Sequence, residues 1–117
     1  MEAKAHLKYA RISPRKVKIV LDLIRGKQVD EALGILKNTR KAASEYLVKL
    51  VASAAANAQN YADTHDVVDF DRSQLYVSEC FVCPGPTLKR GQARARGGYD
   101  HILKRTRHMT IVVKTKD

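Results

Sequence analysis

Two stretches of this 117-residue chain are built from strand-forming residues, and what separates them decides how the chain can fold. Val67 to Val82 is rich in β-branched and aromatic side chains (Val67, Val68, Phe70, Tyr76, Val77, Phe81, Val82). Ile102 to Val113 is similar, with Met109, Ile111 and Val113 alternating against His108, Thr110 and Val112. Between them lie Pro84-Gly85-Pro86 and then Lys89-Arg90-Gly91-Gln92-Ala93-Arg94-Ala95-Arg96-Gly97-Gly98. Strands joined in this way predict an antiparallel hairpin with an irregular tip. Each arm runs about 15 residues, close to 50 Å at roughly 3.3 Å per residue. A compact domain of about 100 residues has a radius of gyration near 13 Å, so only the base of such an arm can rest on it. The remainder stands clear, and a two-stranded ribbon without a core of its own is marginal in water. Something outside the chain has to surround it.

The residues ahead of the hairpin read as a small body. Residues 2–9 alternate, with Ala3, Ala5, Leu7 and Tyr9 on one face and Glu2, Lys4, His6 and Lys8 on the other, the period of a half-buried strand. Ser13-Pro14 marks a helix start, with Ser13 placed to cap and Pro14 at the first helical position. Val17, Val20, Leu21 and Ile24 form its apolar stripe, and Gly26 its stop. A short second helix buries Val29, Ala32, Leu33 and Leu36. The third and longest runs from about Arg40 to about Tyr61, near 22 residues or roughly 33 Å. Ala43, Leu47, Leu50, Ala54 and Ala58 line one side of it, and the small residues from Ala52 to Ala58 let a neighbour come close. The expected fold is α+β: an N-terminal strand, three helices, then a long antiparallel β-hairpin projecting from a small three-stranded sheet. Residues 1–117 form one domain, the globular part about 1–80 and 108–117 and the extended basic hairpin about 81–107.

Charge narrows what surrounds the ribbon to a polyanion, nucleic acid or anionic membrane, without choosing between them. The chain carries +10 net, and so much charge of one sign costs self-repulsion unless a polyanion neutralises it. From Pro84 to Arg107 the cations are Lys89, Arg90, Arg94, Arg96, Lys104, Arg105 and Arg107, opposed only by Asp100. The preceding strand is the reverse, with Asp63, Asp66, Asp69, Asp71 and Glu79 against Arg72. The positive charge thus sits farthest from the core. A basic finger with glycine at its tip suits passage between phosphate backbones, where glycine allows close approach and arginine makes forked contacts. Folded RNA offers crevices deep enough to order both sides of it, and Tyr99 could stack on a base. Further basic contacts are expected from Lys4 and Lys8 on the first strand, Arg11 after it, Arg15, Lys16, Lys18 and Arg25 on the first helix, and Lys27 beyond it. No run reaches the roughly 20 apolar residues that span a bilayer. The first residues lack the apolar stretch of a signal peptide, so the expected location is cytoplasmic, with no membrane partner.

Taken in order, these segments resemble the bacterial large-subunit ribosomal protein twenty-two family over nearly the whole chain, from about Ala3 to Lys114. The likeness is carried by Arg11-Ile12-Ser13-Pro14-Arg15-Lys16, Asp22-Leu23-Ile24-Arg25-Gly26-Lys27, Asp30-Glu31-Ala32-Leu33, Lys41-Ala42-Ala43 and Ser53-Ala54-Ala55-Ala56-Asn57-Ala58. It continues in Gly85-Pro86-Thr87-Leu88-Lys89-Arg90, Arg94-Ala95-Arg96-Gly97 and Lys104-Arg105-Thr106 with His108-Met109-Thr110-Ile111-Val112-Val113. The resemblance implies a structural constituent of the large ribosomal subunit that binds large-subunit rRNA, aids subunit assembly and has no cofactor. It also implies neighbouring ribosomal proteins around the peptide exit tunnel and transient contact with the nascent polypeptide. On the same basis Lys89, Arg90, Gly91, Gln92, Ala93 and Arg94 would line the tunnel near the constriction where macrolides bind. Arg96, Lys104, Arg105, Arg107 and His108 would hold the arms against rRNA. Gly91, Ala93 and Gly98 depart from residues common in the family, which implies a looser tip, and Cys80 and Cys83 stand where acidic or small residues are commoner.

Two other classes of function compete. Charge alone would permit a free-standing RNA chaperone or DNA-binding module. Cys80-Phe81-Val82-Cys83 would permit a small metal or redox protein, but structural zinc wants four ligands, and His6, His65, His101 and His108 lack the partner spacing. Residues three apart on a strand also point to opposite faces. The serines Ser13, Ser44, Ser53, Ser73 and Ser78 have no nucleophile motif around them, and no phosphate-binding glycine loop of the Walker type is present, so no catalytic residue is expected.

Overall fold

Strand β1 (Glu2–Ala10) follows its alternation for two-thirds of its length. Ala3 and Ala5 are buried and Leu7 packs partly against the core. The alternation breaks at Tyr9, whose φ is 61°, where the pairing register shifts between Leu7 and Ala10. One extra residue in a strand reverses the faces that follow it. Ala10 therefore turns inside and Tyr9, expected inward, is 62% exposed. The coordinates are those of a computed structural model, and the structure describes residues 2–65, 70–93 and 95–115.

Three helices come next. α1 (Pro14–Ile24) buries Val17, Val20, Leu21 and Ile24, the expected stripe. Ser13 stands at its N-cap but makes no side-chain capping bond. Gly26, at φ 81°, ends the helix, and its N–H donates to the Val77 carbonyl at 2.8 Å. The Val77 N–H returns to the Lys27 carbonyl at 2.9 Å, so this turn lies along the edge of the strand that carries Val77. α2 (Val29–Asn38) is capped by the Gln28 side chain, which accepts from the Glu31 N–H. α3 (Ala42–Thr64) begins two residues later than expected, because Lys41 is extended, and ends three later, because Ala62 continues the buried line of Ala54 and Ala58.

A three-stranded antiparallel sheet closes the body. Its order is β1, then β5 (Arg107–Thr115), then β2 (Leu75–Pro84). Val113, Ile111 and Met109 of β5 face the helices between Ala3, Ala5 and Leu7 on one side and Val77, Cys80 and Val82 on the other. As the middle strand, β5 also has Thr110 and Val112 shielded by side chains from both neighbours, although the sequence placed them outward. Each edge is met at one place: β2 by residues 26–28 at Tyr76 and Val77, β1 by Asn57 of α3, whose side-chain amide donates to the Lys4 carbonyl at 2.8 Å. Such contacts hinder pairing with another chain at those places.

The first hairpin arm differs from its expected extent. A short 3₁₀ turn, Arg72–Gln74, precedes it and the strand starts at Leu75; Val67 and Val68 lie outside the described residues. Beyond Pro84 and Arg107 the pairing resumes as a second sheet of β3 (Leu88–Ala93) and β4 (Tyr99–Lys104). The molecule measures 69 × 29 × 16 Å, and its radius of gyration of 18.0 Å exceeds the roughly 13 Å of a compact chain this long. Among the described residues, β3 and β4 do not fold back onto the helices.

Candidate nucleic-acid interface

Among the described residues, the strands of the ribbon have no helix or sheet packed behind them. Every residue of β3 is exposed. The register sets Leu88, Arg90 and Gln92 opposite Lys104, Ile102 and Asp100, and Lys89, Gly91 and Ala93 opposite Leu103, His101 and Tyr99. One face therefore combines Leu88 with Arg90 and Lys104, and the other combines Leu103 with Lys89. Leu88 is 46% exposed and Leu103 49%. A ribbon lying flat on a partner would keep its apolar residues on one side. Leucine and cation on both faces fit a ribbon enclosed from both sides. The irregular tip is shorter than expected, since pairing is regular to Ala93 and Tyr99. Past it Arg96, at φ 59°, and Gly97, at φ 72°, turn the chain. Arg94 and the side chain of Tyr99, both expected to meet RNA, lie outside the described residues.

At the ribbon's root the chain is knotted by short contacts. The Gly85 N–H donates to the Thr106 carbonyl at 2.9 Å, and the Thr106 hydroxyl donates to the Pro86 carbonyl at 2.5 Å. A Cβ on Gly85 would lie 2.7 Å from Thr106 Oγ1 and 2.8 Å from His108 Cε1, so any larger residue must push one of these side chains aside. His108 is half-buried and accepts the Tyr9 N–H at its Nδ1, 3.1 Å away, with the two rings edge to face at 5.1 Å. This histidine, expected on RNA, is committed to holding the bulge of β1 against β5. Arg11, Arg105 and Arg107, distant in sequence, do come together: with Ile12, Ser13 and Pro14 they line a cavity of about 340 Å³ where the ribbon leaves the body. The Arg107 guanidinium is braced on the Thr106 carbonyl at 2.9 Å.

The remaining predicted residues divide by what already holds them. Lys8, Arg15, Lys16, Lys18 and Lys27 are exposed. Lys4 lies 3.7 Å from Glu2 on the open face of the sheet. Arg25 is engaged by the body, with one nitrogen 2.5 Å from Asp22 and another donating to the Cys80 carbonyl at 3.0 Å. Four cations that sequence reasoning passed over, Lys37, Arg40, Lys41 and Lys49, line a cavity of about 720 Å³ at the α2–α3 junction. The available signal was a basic pair standing immediately before the longest helix. Lys16 joins Arg40 and Lys41 around a neighbouring cavity of about 280 Å³.

Cys80 is buried, and Cys83 is exposed at the far end of β2, paired across the ladder with His108. Burial pushes the Cys80 thiol up, and the adjacent Arg25 offsets this only in part. Among the described residues no group of three or more potential ligands gathers as a metal site would require, and no helix is long and apolar enough to cross a membrane.

Comparison with known proteins agrees with this geometry. Residues 5–114 match the family described as Ribosomal protein L22p/L17e. The chain is 56% identical over 115 residues to a protein of Acetivibrio thermocellus named Large ribosomal subunit protein uL22, covering 98% of this chain and 87% of that one. It is 54% identical over 116 residues to the protein of that name from Halothermothrix orenii, covering 99% and 97%. With the one from Clostridium tetani it shares 50% over 117 residues, the whole of both chains.

Proposed function

This chain belongs to the ribosomal protein L22p/L17e family, and from that premise we propose that its ribbon is a finger ordered by large-subunit rRNA. The protein is a structural constituent of the large ribosomal subunit and not an enzyme. In the proposed arrangement the root arginines Arg11, Arg105 and Arg107 clamp backbone phosphates where the ribbon leaves the body. Lys89, Arg90, Arg96 and Lys104 neutralise phosphates on either side of it, and Lys4, Lys8, Arg15, Lys16, Lys18 and Lys27 hold the body against further rRNA. The tip from Lys89 to Arg94 then lines the nascent-peptide tunnel near the macrolide-binding constriction, with other ribosomal proteins around the exit, on the ribosome of the cytoplasm. Bringing distant rRNA segments to one finger also aids assembly of the subunit.

The observation that carries this reading is the exposure of both ribbon faces, each bearing leucine beside cation. Exposed apolar surface rimmed by charge marks a contact site, and here there is contact surface on two sides at once. Two measurements test it. In a sucrose gradient of cell extract the chain should travel with the large subunit at moderate salt; recovery only at the top of the gradient would remove the ribosomal role. Cells carrying a deletion of Lys89 to Arg94 should change their macrolide sensitivity while the protein still folds and assembles. Unaltered sensitivity would remove the tunnel assignment and leave the rRNA contact standing.

A further inference from the structure

The starts of α2 and α3 differ in the charge at and before the cap. α2 has Asp30 and Glu31 in its first turn and Lys37 in its last, each facing the end of the helix dipole that attracts it. α3 is 23 residues long and has Glu45 in its first turn, but Lys41 is its N-cap and Arg40 precedes it, so two cations stand at the very end of the helix. Lys41 makes no capping bond through its side chain. Cations at this end meet the positive pole of the dipole and the N–H groups of Ala42 and Ala43, which lack acceptors within the helix.

A second observation is independent of charge. Ser44, in the same turn, is only 3% exposed, and its Oγ is a buried polar atom with no hydrogen-bond partner among the described residues. A buried hydroxyl without a partner is costly, and native structures leave few of them. Ser44 also lines the cavity shared by Lys37, Arg40, Lys41, Glu45 and Lys49. Glu45 is the one carboxylate in this lining, against four cations.

We propose that this cavity at the α2–α3 junction is a phosphate site: it takes a backbone phosphate of RNA, bound by the α3 N-terminus, the Ser44 hydroxyl, Arg40 and Lys41. A phosphate there supplies the missing acceptor and reverses the unfavourable charge at the helix start. The same cations line the adjoining cavity with Lys16 of α1, and α1 itself opens beside Arg11, Arg105 and Arg107. The site thus ends a basic track that starts at the root of the ribbon and crosses the body. The inference rests on the rRNA reading and extends it to a second region of RNA.

The test uses the full chain and deproteinised large-subunit rRNA, with affinity measured across a series of potassium chloride concentrations. For Arg40→Ala/Lys41→Ala, affinity should fall about tenfold or more and the slope of log affinity against log salt should flatten by about 1.5, two phosphate contacts' worth. Ser44→Ala should weaken binding several-fold without changing the slope. Neither variant should lower the melting temperature of the free chain, since one removes misplaced charge and the other an orphaned hydroxyl. A lower melting temperature with unchanged slope would assign these residues to the fold and overturn the site. If the wild type binds and the variants match it in affinity and slope, the site is overturned and the rRNA reading stands. If the wild type itself fails to bind, the rRNA reading falls and this inference with it. Amide NMR with inorganic phosphate provides a second arm, in which Ala42, Ala43 and Ser44 should shift. Shifts with phosphate but wild-type rRNA affinity in the variants would mean a free-anion site and would overturn RNA as the occupant.

Discussion

β2 with β5 and β3 with β4 are two lengths of one antiparallel hairpin, separated by only a few residues, yet they live in different environments. In the first pair Leu75, Val77, Cys80, Met109, Ile111 and Val113 are buried against the helices. In the second, β3 has no buried residue, and in β4 Asp100 and Leu103 are exposed while Ile102 and Lys104 are only partly shielded. Both pairs are laddered, the first with one bulge between Val77 and Glu79 and the second without a break. The difference shows that strand pairing does not itself stabilise a sheet in water; apolar burial behind the sheet does, and where it is missing another molecule has to supply it. The break lies at Gly85 and Thr106, between the two ladders.

Three substitutions sharpen that contrast. Leu47→Ala, under α3 and fully buried, should cost about 2–5 kcal/mol in denaturant unfolding, from lost transfer energy and the cavity left behind. Gly85→Ala should cost about 1–3 kcal/mol, because the added methyl overlaps Thr106 and His108 in a packed root. It should also weaken rRNA binding by re-aiming the ribbon, which comparison of the variant's affinity with that of wild type would reveal. Leu103→Ala removes the same atoms as the first change but from the ribbon. Its effect on the stability of the free chain should stay within about 0.5 kcal/mol. A cost comparable to that of Leu47→Ala would erase the distinction between the two halves.

How much of this was readable beforehand follows the same division. The buried stripes of α1 and α3, the stop at Gly26 and the projecting hairpin were legible, because each depends on spacing within a short window. What was missed depends on residues far apart in the chain. Tyr9 faces outward because β1 bulges against β5, a hundred positions away in sequence. Thr110 and Val112 are shielded because β5 is the central strand, which alternation cannot reveal. The meeting of Arg11 with Arg105 and Arg107 needs the folded root. His108 and Arg25 were expected at RNA, and what else the fold asks of them could not be read: His108 accepts the Tyr9 N–H, and Arg25 reaches Asp22 and the Cys80 carbonyl. Arg40 and Lys41 were visible as a basic pair, but their place ahead of a helix dipole, with an unpartnered serine beside them, required the observed helix start.

Hydrogen exchange at individual amides, recorded on the free chain and again on the chain bound to large-subunit rRNA, tests the central claim most directly. Free in solution, Ile111 and Val113 should exchange only through global unfolding, while the paired amides of β3 and β4 exchange many orders of magnitude faster; bound to rRNA, the ribbon should slow toward the body. Ribbon amides already as protected as Ile111 in the free chain would contradict the account, because the finger would then be stable without any surroundings.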